Sequence, residues 1–193
     1  TEDEEKAIVK PDTGSEKEIV WEKDGKEMIV IPTGDFRMGD SKGEPEEFME
    51  DARPVHTVEL DAFYMDIYEV TVGQFIEFAN QSGYKYDGNW NDVAKSSPGD
   101  WYPMIYVSWN DAVAYCDWAG KRLPTDAEWE YAARGGLVGK RYPGGDEISH
   151  DDANYSGAGG SLVGSFAANG YGLSDMAGNV YEWCQGWYGE DYY

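Results

Sequence analysis

The chain has 193 residues, of which 41% are hydrophobic and 15% aromatic, which is typical of one loop-rich globular domain. Its 38 acidic residues outnumber its 15 basic residues and give a net charge of −23, which argues against nucleic acid as a partner. No apolar run approaches the roughly 20 residues that cross a bilayer, so we predict no membrane span.

The first part of the chain is strongly acidic. Residues 1–18 carry seven acids, three lysines and almost nothing to bury. Such a composition favours solvation over packing. We therefore divide the chain into a flexible acidic lead-in, residues 1–26, and one domain, residues 27–193.

The domain opens with segments that alternate or cluster apolar residues. Residues 27–32, the turn at 33–35 and residues 36–39 together predict a β-hairpin. After an acidic loop at 41–51, residues 55–60 alternate apolar with polar side chains, and residues 63–66 continue the pattern. This period of two predicts strands of a sheet with one buried face.

Three helices are predicted from their capping residues. Each begins with a Ser or Thr, has a Gln, Asp or Glu three positions later, and ends at a glycine. The sets are Thr71, Gln74 and Gly83; Ser108, Asp111 and Gly120; and Thr125, Glu128 and Gly135. Three such patterns in one chain make the helical assignments mutually supporting.

Regular periodicity ends after residue 136. Residues 139–172 consist mostly of Gly, Asp, Ser, Asn and Tyr, with one short apolar run. A stretch of this length needs something other than a strand ladder to hold it, and a bound ion is one candidate. Within it, residues 152–157 match the opening of a calcium loop, although the twelfth position is Val163 instead of a carboxylate.

A second segment places oxygen ligands at a turn. Asp175 and Glu182 are seven residues apart and flank a glycine turn in which backbone carbonyls can point inward. Carboxylate and carbonyl oxygens are the ligands that calcium prefers. An ordinary turn between two strands is the alternative interpretation.

The blocks together resemble the formylglycine-generating enzyme family, also called sulfatase-modifying factors. The resemblance extends from about Glu27 to the end of the sequence. The matching blocks are residues 28–39, 53–56, 69–71, 107–112, 119–136, 169–173 and 178–183. The resemblance implies an α+β, low-regularity, C-type lectin-like fold that is loop-rich and stabilised by calcium.

The resemblance also implies two calcium sites. The first uses the carboxylates of Asp175 and Glu182 and the backbone oxygens of Gly178 and Val180. The second, weaker site uses Asn154 and Tyr155. The acidic loop that completes the second site in the family is shortened here to residues 157–161, which hold no carboxylate.

Complete members of the family oxidise a sulfatase cysteine to Cα-formylglycine with O2 and Cu(I). The soft copper ion is held by a close cysteine pair that follows an Arg-Gly-Gly-Ser stretch, and this sequence contains neither. We therefore assign no catalytic residue and expect an inactive piece of a longer reading frame. Cys116 and Cys184 are expected to be buried thiols or one disulfide and not a copper site.

Two functions remain open at this stage. One is an incomplete formylglycine-generating domain, an oxidoreductase when complete, with an unfolded sulfatase peptide as its partner. The other is a non-catalytic, calcium-stabilised lectin-like module that binds or displays another protein ligand. The compartment stays open, with a secreted or periplasmic location favoured over the cytoplasm.

Overall fold

The computed structural model describes residues 17–40, 47–157 and 159–186. Five strands and four α-helices form within these ranges, together with one 3-10 segment at Glu47–Ala52. The strands are β1 (Glu18–Val20), β2 (Glu27–Ile31), β3 (Gly34–Met38), β4 (His56–Leu60) and β5 (Phe63–Asp66). The helices are α1 (Val72–Ser82), α2 (Trp90–Ser96), α3 (Trp109–Ala119) and α4 (Asp126–Arg134).

The strands form two antiparallel sheets. One has the order β1-β2-β5, and the other pairs β3 with β4. The predicted hairpin of β2 with β3 is therefore wrong, although both strands exist where expected. Pro32 has no N–H to continue the ladder, and the Thr33 hydroxyl donates to the Leu60 carbonyl at 2.8 Å. The chain is thereby redirected, so that β3 pairs with β4 and β2 pairs with β5.

The three predicted helices are confirmed with their caps. In α1, α3 and α4 the N-cap hydroxyl and the side chain three residues later both accept the expected backbone hydrogen bonds. Each helix is followed by a glycine with left-handed backbone angles. The short helix α2 was not predicted; the Asn89 side chain caps it by accepting from the Asn91 N–H at 2.9 Å.

Two apolar clusters form the core. The first joins α1, α2 and α3 through Phe75, Phe78, Val93 and Tyr115. In the second, Ile31, Phe63, Tyr131 and Leu173 bring together β2, β5, α4 and the loop that contains residue 173. Burial of one such side chain contributes on the order of 1.5–3 kcal/mol. The second cluster therefore anchors part of the irregular half of the chain to the sheet.

The loop-rich second half is confirmed. Among the described residues after Arg134, regular pairing is limited to one isolated bridge between Tyr142 and Gly145. Side-chain hydrogen bonds hold this region to the helices instead: the Asn169 amide donates to the Ala132 carbonyl at 2.8 Å. The side-chain oxygen Oδ1 of Asn169 accepts from the Tyr171 N–H at 2.9 Å.

The proposed lead-in lies partly outside the described residues. Residues 1–16 are among those not described, so the flexible lead-in and its boundary at residue 26 stay predictions. Residues 18–26 contain β1, which pairs with β2, and the buried side chains of Asp24 and Lys26. In the described ranges, no helix is both long and apolar enough to cross a membrane.

Candidate cation site and the adjoining cavity

The Asp175 side chain forms hydrogen bonds within the irregular half of the chain. Its side chain is 5% exposed, and its backbone has a positive φ of 59°. Oδ2 accepts from the Gly164 N–H at 2.5 Å, and Oδ1 accepts from the Phe166 N–H at 3.4 Å. Burial raises the pKa of this carboxyl, while the two backbone donors oppose the rise.

The turn that follows brings the two predicted calcium segments into contact. Gly178 has a φ of 80°, and a Cβ at this position would lie 2.3 Å from the Asn154 carbonyl oxygen. The next N–H, of Asn179, donates to the same oxygen at 2.7 Å. Val180 then reaches the wall of a cavity. The segments around 154 and 178 therefore form one structural unit.

Asn154 and Tyr155 serve their own loop in this structure. The Asn154 amide donates to the Gly159 carbonyl at 2.9 Å. The Tyr155 ring stacks on His150 with centroids 4.3 Å apart. The second calcium site stays a prediction, because nothing in these contacts identifies a cation ligand.

Glu69 is a further carboxylate that the sequence interpretation did not assign to the site. It lies between β5 and α1, and its Oε1 accepts from the Asn179 side-chain amide at 2.9 Å. Its Oε2 is buried and has no hydrogen-bond partner among the described residues. Burial, followed by the nearby Glu182 and Asp175, raises the pKa of Glu69 to about 8. Its only sequence signal was membership in the block at residues 69–71.

Glu182 extends into the cavity. The residue is exposed there, although protein surrounds the cavity and raises the pKa of its carboxyl. The Trp129 indole and Lys26 counteract part of that rise. The Trp129 Nε1 is buried and makes no hydrogen bond of normal geometry within the described ranges.

Glu69, Asp175 and Glu182 thus form a neighbourhood of three carboxylates. Neither Glu69 nor Asp175 has a hydrogen bond or ion pair to a basic side chain in the parts of the chain that the structure describes. Carboxylate oxygens are ligands that calcium accepts. With a pKa of about 8, however, Glu69 is largely protonated near neutral pH when no cation is bound. Across residues 17–40, 47–157 and 159–186, no cluster of three or more His, Cys, Asp or Glu side chains has metal-binding geometry. The predicted site would instead combine two carboxylates with two backbone oxygens.

A cavity of about 510 Å³ adjoins these carboxylates. Its walls come from β2, β5, α3, α4 and the segment around 176–183, and both Glu69 and Glu182 line it. The strand β5 is the outermost strand of its sheet in the part of the chain that the structure describes. The cavity therefore joins an apolar wall, a sheet edge and two acidic groups.

A buried network neutralises the other charges beside the cavity. The Lys121 Nζ lies 2.7 Å from Asp24 and 2.8 Å from Asp66. Lys26, which is fully buried, donates to the Tyr68 carbonyl at 2.7 Å and lies 3.4 Å from Asp66. Burial lowers the pKa of Lys26, and Asp66 opposes that effect. These charges are paired with opposite charges, whereas the printed side-chain partner of Glu69 in the described ranges is the neutral amide of Asn179.

The two cysteines are free thiols on separate elements. Cys116 lies on α3 and Cys184 follows Trp183, and both are half-buried. Burial raises the pKa of each thiol to about 12, so both are protonated near neutral pH. Copper(I) binds thiolates. That these two thiols form no copper site stays a prediction.

Comparisons with known proteins agree with this architecture. The sulfatase-modifying factor enzyme 1-like domain model matches residues 16–193. The formylglycine-generating enzyme of Thermomonospora curvata is 39% identical over 225 residues, covering 87% of this chain and 74% of that protein. Serine/threonine-protein kinase pkn1 of Chlamydia pneumoniae is 42% identical over 182 residues, or 86% of this chain, which spans only 29% of the kinase.

A solved structure supports the same conclusion. PvdO from Pseudomonas aeruginosa superimposes with a TM-score of 0.75 at 31% identity, covering 91% of this chain and 76% of PvdO. The predicted α+β, C-type lectin-like fold class is thereby confirmed. Its stabilisation by calcium stays a prediction.

Proposed function

We propose that this chain, which belongs to the sulfatase-modifying factor enzyme 1-like domain family, provides the calcium-supported scaffold of a formylglycine-generating domain. The observation that carries the proposal is the extent of the match. The family model covers residues 16–193, which is almost the whole chain. The oxidation of a sulfatase cysteine is the activity implied for the complete domain, with a sulfatase peptide as the partner.

Calcium has a structural role in this proposal. Asp175 and Glu182 would hold it through carboxylates, and Gly178 and Val180 through backbone oxygens. The ion supplies positive charge that offsets carboxylate repulsion. The oxygen of Glu69 that has no hydrogen-bond partner among the described residues, and the crowding of three carboxyl groups, support this assignment. Asn154 and Tyr155 are proposed for a second, weaker ion.

The reaction itself is not assigned to residues of this chain. Cys116 and Cys184 lie on separate elements as free thiols, and we derive no step through copper. We propose that the chain by itself leaves a sulfatase cysteine unoxidised. The chain's own residues then contribute the folded scaffold and the surface beside the cavity.

Peptide oxidation provides the direct test. The purified chain and, as positive control, the T. curvata enzyme are each incubated with a cysteine-containing sulfatase peptide, Cu(I) and O2. Aldehyde is then measured by mass spectrometry and hydrazide capture. We expect conversion only by the control. Conversion by this chain above the copper-only background would overturn the proposed inactivity.

The second candidate is a non-catalytic, calcium-stabilised lectin-like binding or display module. The cavity favours it, since a volume of about 510 Å³ is within the usual range of binding sites. The exposed rings of Tyr181 and Trp183 lie beside Glu182 on the same segment. Ligand binding by the chain without any peptide oxidation would favour the module over the incomplete enzyme.

A further inference from the structure

We propose that a cleft beside helix α2 binds a neutral saccharide, with one face of the sugar ring stacked on Tyr106 and the sugar hydroxyl groups bonded to α2. The cleft has a volume of about 370 Å³ and shares no lining residue with the cavity at Glu69. The inference goes beyond the proposed scaffold role and depends neither on calcium nor on the family's reaction. The residues that line the cleft are Asn89, Asp92, Lys95, Ser96 and Tyr106.

One wall of the cleft is a single face of α2. Asn89, Asp92 and Ser96 are spaced by three and four positions, so their side chains lie on the same side of the helix. On the opposite side, Val93 is 1% exposed and belongs to the first apolar cluster. The Ser96 carbonyl also accepts from the Gly160 N–H at 3.1 Å. The polar face is therefore fixed in position before any ligand arrives.

The other wall is the ring of Tyr106, which is held in an unusual way. Its backbone has a φ of 58°, in the left-handed region that is unfavourable for residues other than glycine. The Tyr86 hydroxyl donates to the Tyr106 carbonyl at 2.9 Å, and the Tyr86 ring packs edge-on against Phe75 in the core. The Tyr106 residue itself is 62% exposed, so burial of its ring does not offset this strain. Strain without a packing gain is typical of a residue that serves a binding site.

The polar face offers hydrogen-bond donors and acceptors together. The Lys95 ammonium group lies 2.5 Å from the Asp92 carboxylate. The Asn89 side-chain oxygen accepts from the Asn91 N–H, which leaves the NH2 group of Asn89 as a donor toward the cleft. The hydroxyl of Ser96 can both donate and accept. Each sugar hydroxyl group also donates and accepts, so neighbouring hydroxyls match such a mixed set.

The charge of the lining favours a neutral ligand. Asp92 and Lys95 cancel each other, although the chain as a whole carries a charge of −23. A cation would approach Lys95, an anion would approach Asp92, and a wholly apolar molecule would leave the polar wall unbonded. A pyranose ring avoids all three costs. Its C–H groups can lie on the negatively polarised face of the Tyr106 ring while its hydroxyls point to α2.

Saturation-transfer NMR with the full chain in EDTA tests the proposal. The probe is cellobiose, whose glucose rings have flat C–H faces, and the control is sorbitol, which has similar hydroxyls but no ring. We expect transfer to the ring protons of cellobiose, with a Kd on the order of 1 mM, and none to sorbitol. Glucose should bind more tightly than either cationic glucosamine or anionic glucuronate.

Variants then locate the ring that stacks. Tyr106→Gly should weaken cellobiose binding at least about tenfold, which corresponds to about 1.4 kcal/mol. It should not lower the Tm, because glycine adopts this backbone without strain. Trp101→Ala is the matched control, since Trp101 is equally exposed at 64% but does not line the cleft. If Tyr106→Gly does not fold, Asp92→Ala tests the polar wall, with Asp87→Ala, outside the cleft, as its control.

Several results would overturn the proposal. They are absence of transfer to cellobiose, equal transfer to sorbitol, tighter binding of either charged sugar, and unchanged affinity in a folded Tyr106→Gly protein. An equal loss of affinity in the Tyr106→Gly and Trp101→Ala proteins would place the sugar elsewhere. Binding that appears only when calcium is added would also refute it, since a metal ion would then hold the sugar hydroxyls.

Discussion

Replacing Gly178 with alanine tests the contact between the turn at 178–179 and the segment at Asn154. The new Cβ would lie 2.3 Å from the Asn154 carbonyl oxygen, a distance at which one of the two backbones has to move. The residue also has a φ of 80°, which costs an L-amino acid about 1–2 kcal/mol. Moving the backbone lengthens the 2.7 Å hydrogen bond from the Asn179 N–H.

The expected loss of stability follows from these two effects. Disrupting the hydrogen bond to Asn154 adds about 1–3 kcal/mol to the backbone cost, giving about 2–5 kcal/mol in total. In a domain of this size each kcal/mol lowers the Tm by roughly 2–4 °C. Gly178→Ala should therefore lower the Tm by roughly 4–20 °C, as measured by circular dichroism or calorimetry in EDTA.

Gly25→Ala is the matched control. Gly25 also has a left-handed backbone, with a φ of 67°, but a Cβ there meets no atom within 4 Å. Its replacement should cost only the backbone term of about 1–2 kcal/mol. Equal Tm losses for the two variants would refute the reasoning, because they would show that the approach to Asn154 contributes nothing.

Three further predictions concern the cation site, the thiols and a helix cap. With calcium at about 100 times its Kd, chelation should destabilise the protein by about 2.7 kcal/mol and lower its Tm by roughly 5–10 °C. Glu182→Ala should lower the Tm in calcium and abolish the fall in Tm on chelation. If chelation changed the melting curve of neither the wild-type protein nor the variant, the result would count against the site. Cys116 and Cys184 should react slowly with iodoacetamide at pH 8 when folded and rapidly in denaturant, because burial raises their pKa to about 12; rapid native labelling would contradict this. Thr125→Ala should cost about 1 kcal/mol in urea unfolding, since its hydroxyl caps α4; an unchanged midpoint would contradict the cap.

The incomplete prediction of the sheets shows where local pattern stops being sufficient. The periodicity of residues 55–60 and 63–66 indicated strands, and both exist. Pairing was wrong because β2 and β3 each bond to a later strand. That choice depends on the side-chain bond from Thr33 to Leu60 and on which faces become buried. Neither the hydrogen bond nor the choice of buried faces can be predicted from the short sequence between β2 and β3.

The candidate site likewise has one part that local spacing predicted and another that only the fold revealed. The spacing of Asp175 and Glu182 around a glycine turn is local, and it led to both residues before the fold was known. Glu69 and Asn179 are separated by 110 positions, yet their side chains form one hydrogen bond. No periodicity links residues so far apart, and so Glu69 was missed. The cavity likewise arises only when β5, α3, α4 and residues 176–183 meet.

The sequence by itself determined the helices α1, α3 and α4, their ends and the loop-rich character of the second half, whereas α2 was missed. Caps such as Thr125 with Glu128 act within one turn of chain, so their physics is contained in a few consecutive residues. Strand partners, the burial of Lys26 and, within the part of the chain that the structure describes, the burial of a Glu69 oxygen without a hydrogen-bond partner were decided only by tertiary structure. Burial and charge neighbourhoods depend on which distant segments exclude water from one another, and that is a property of the packed chain.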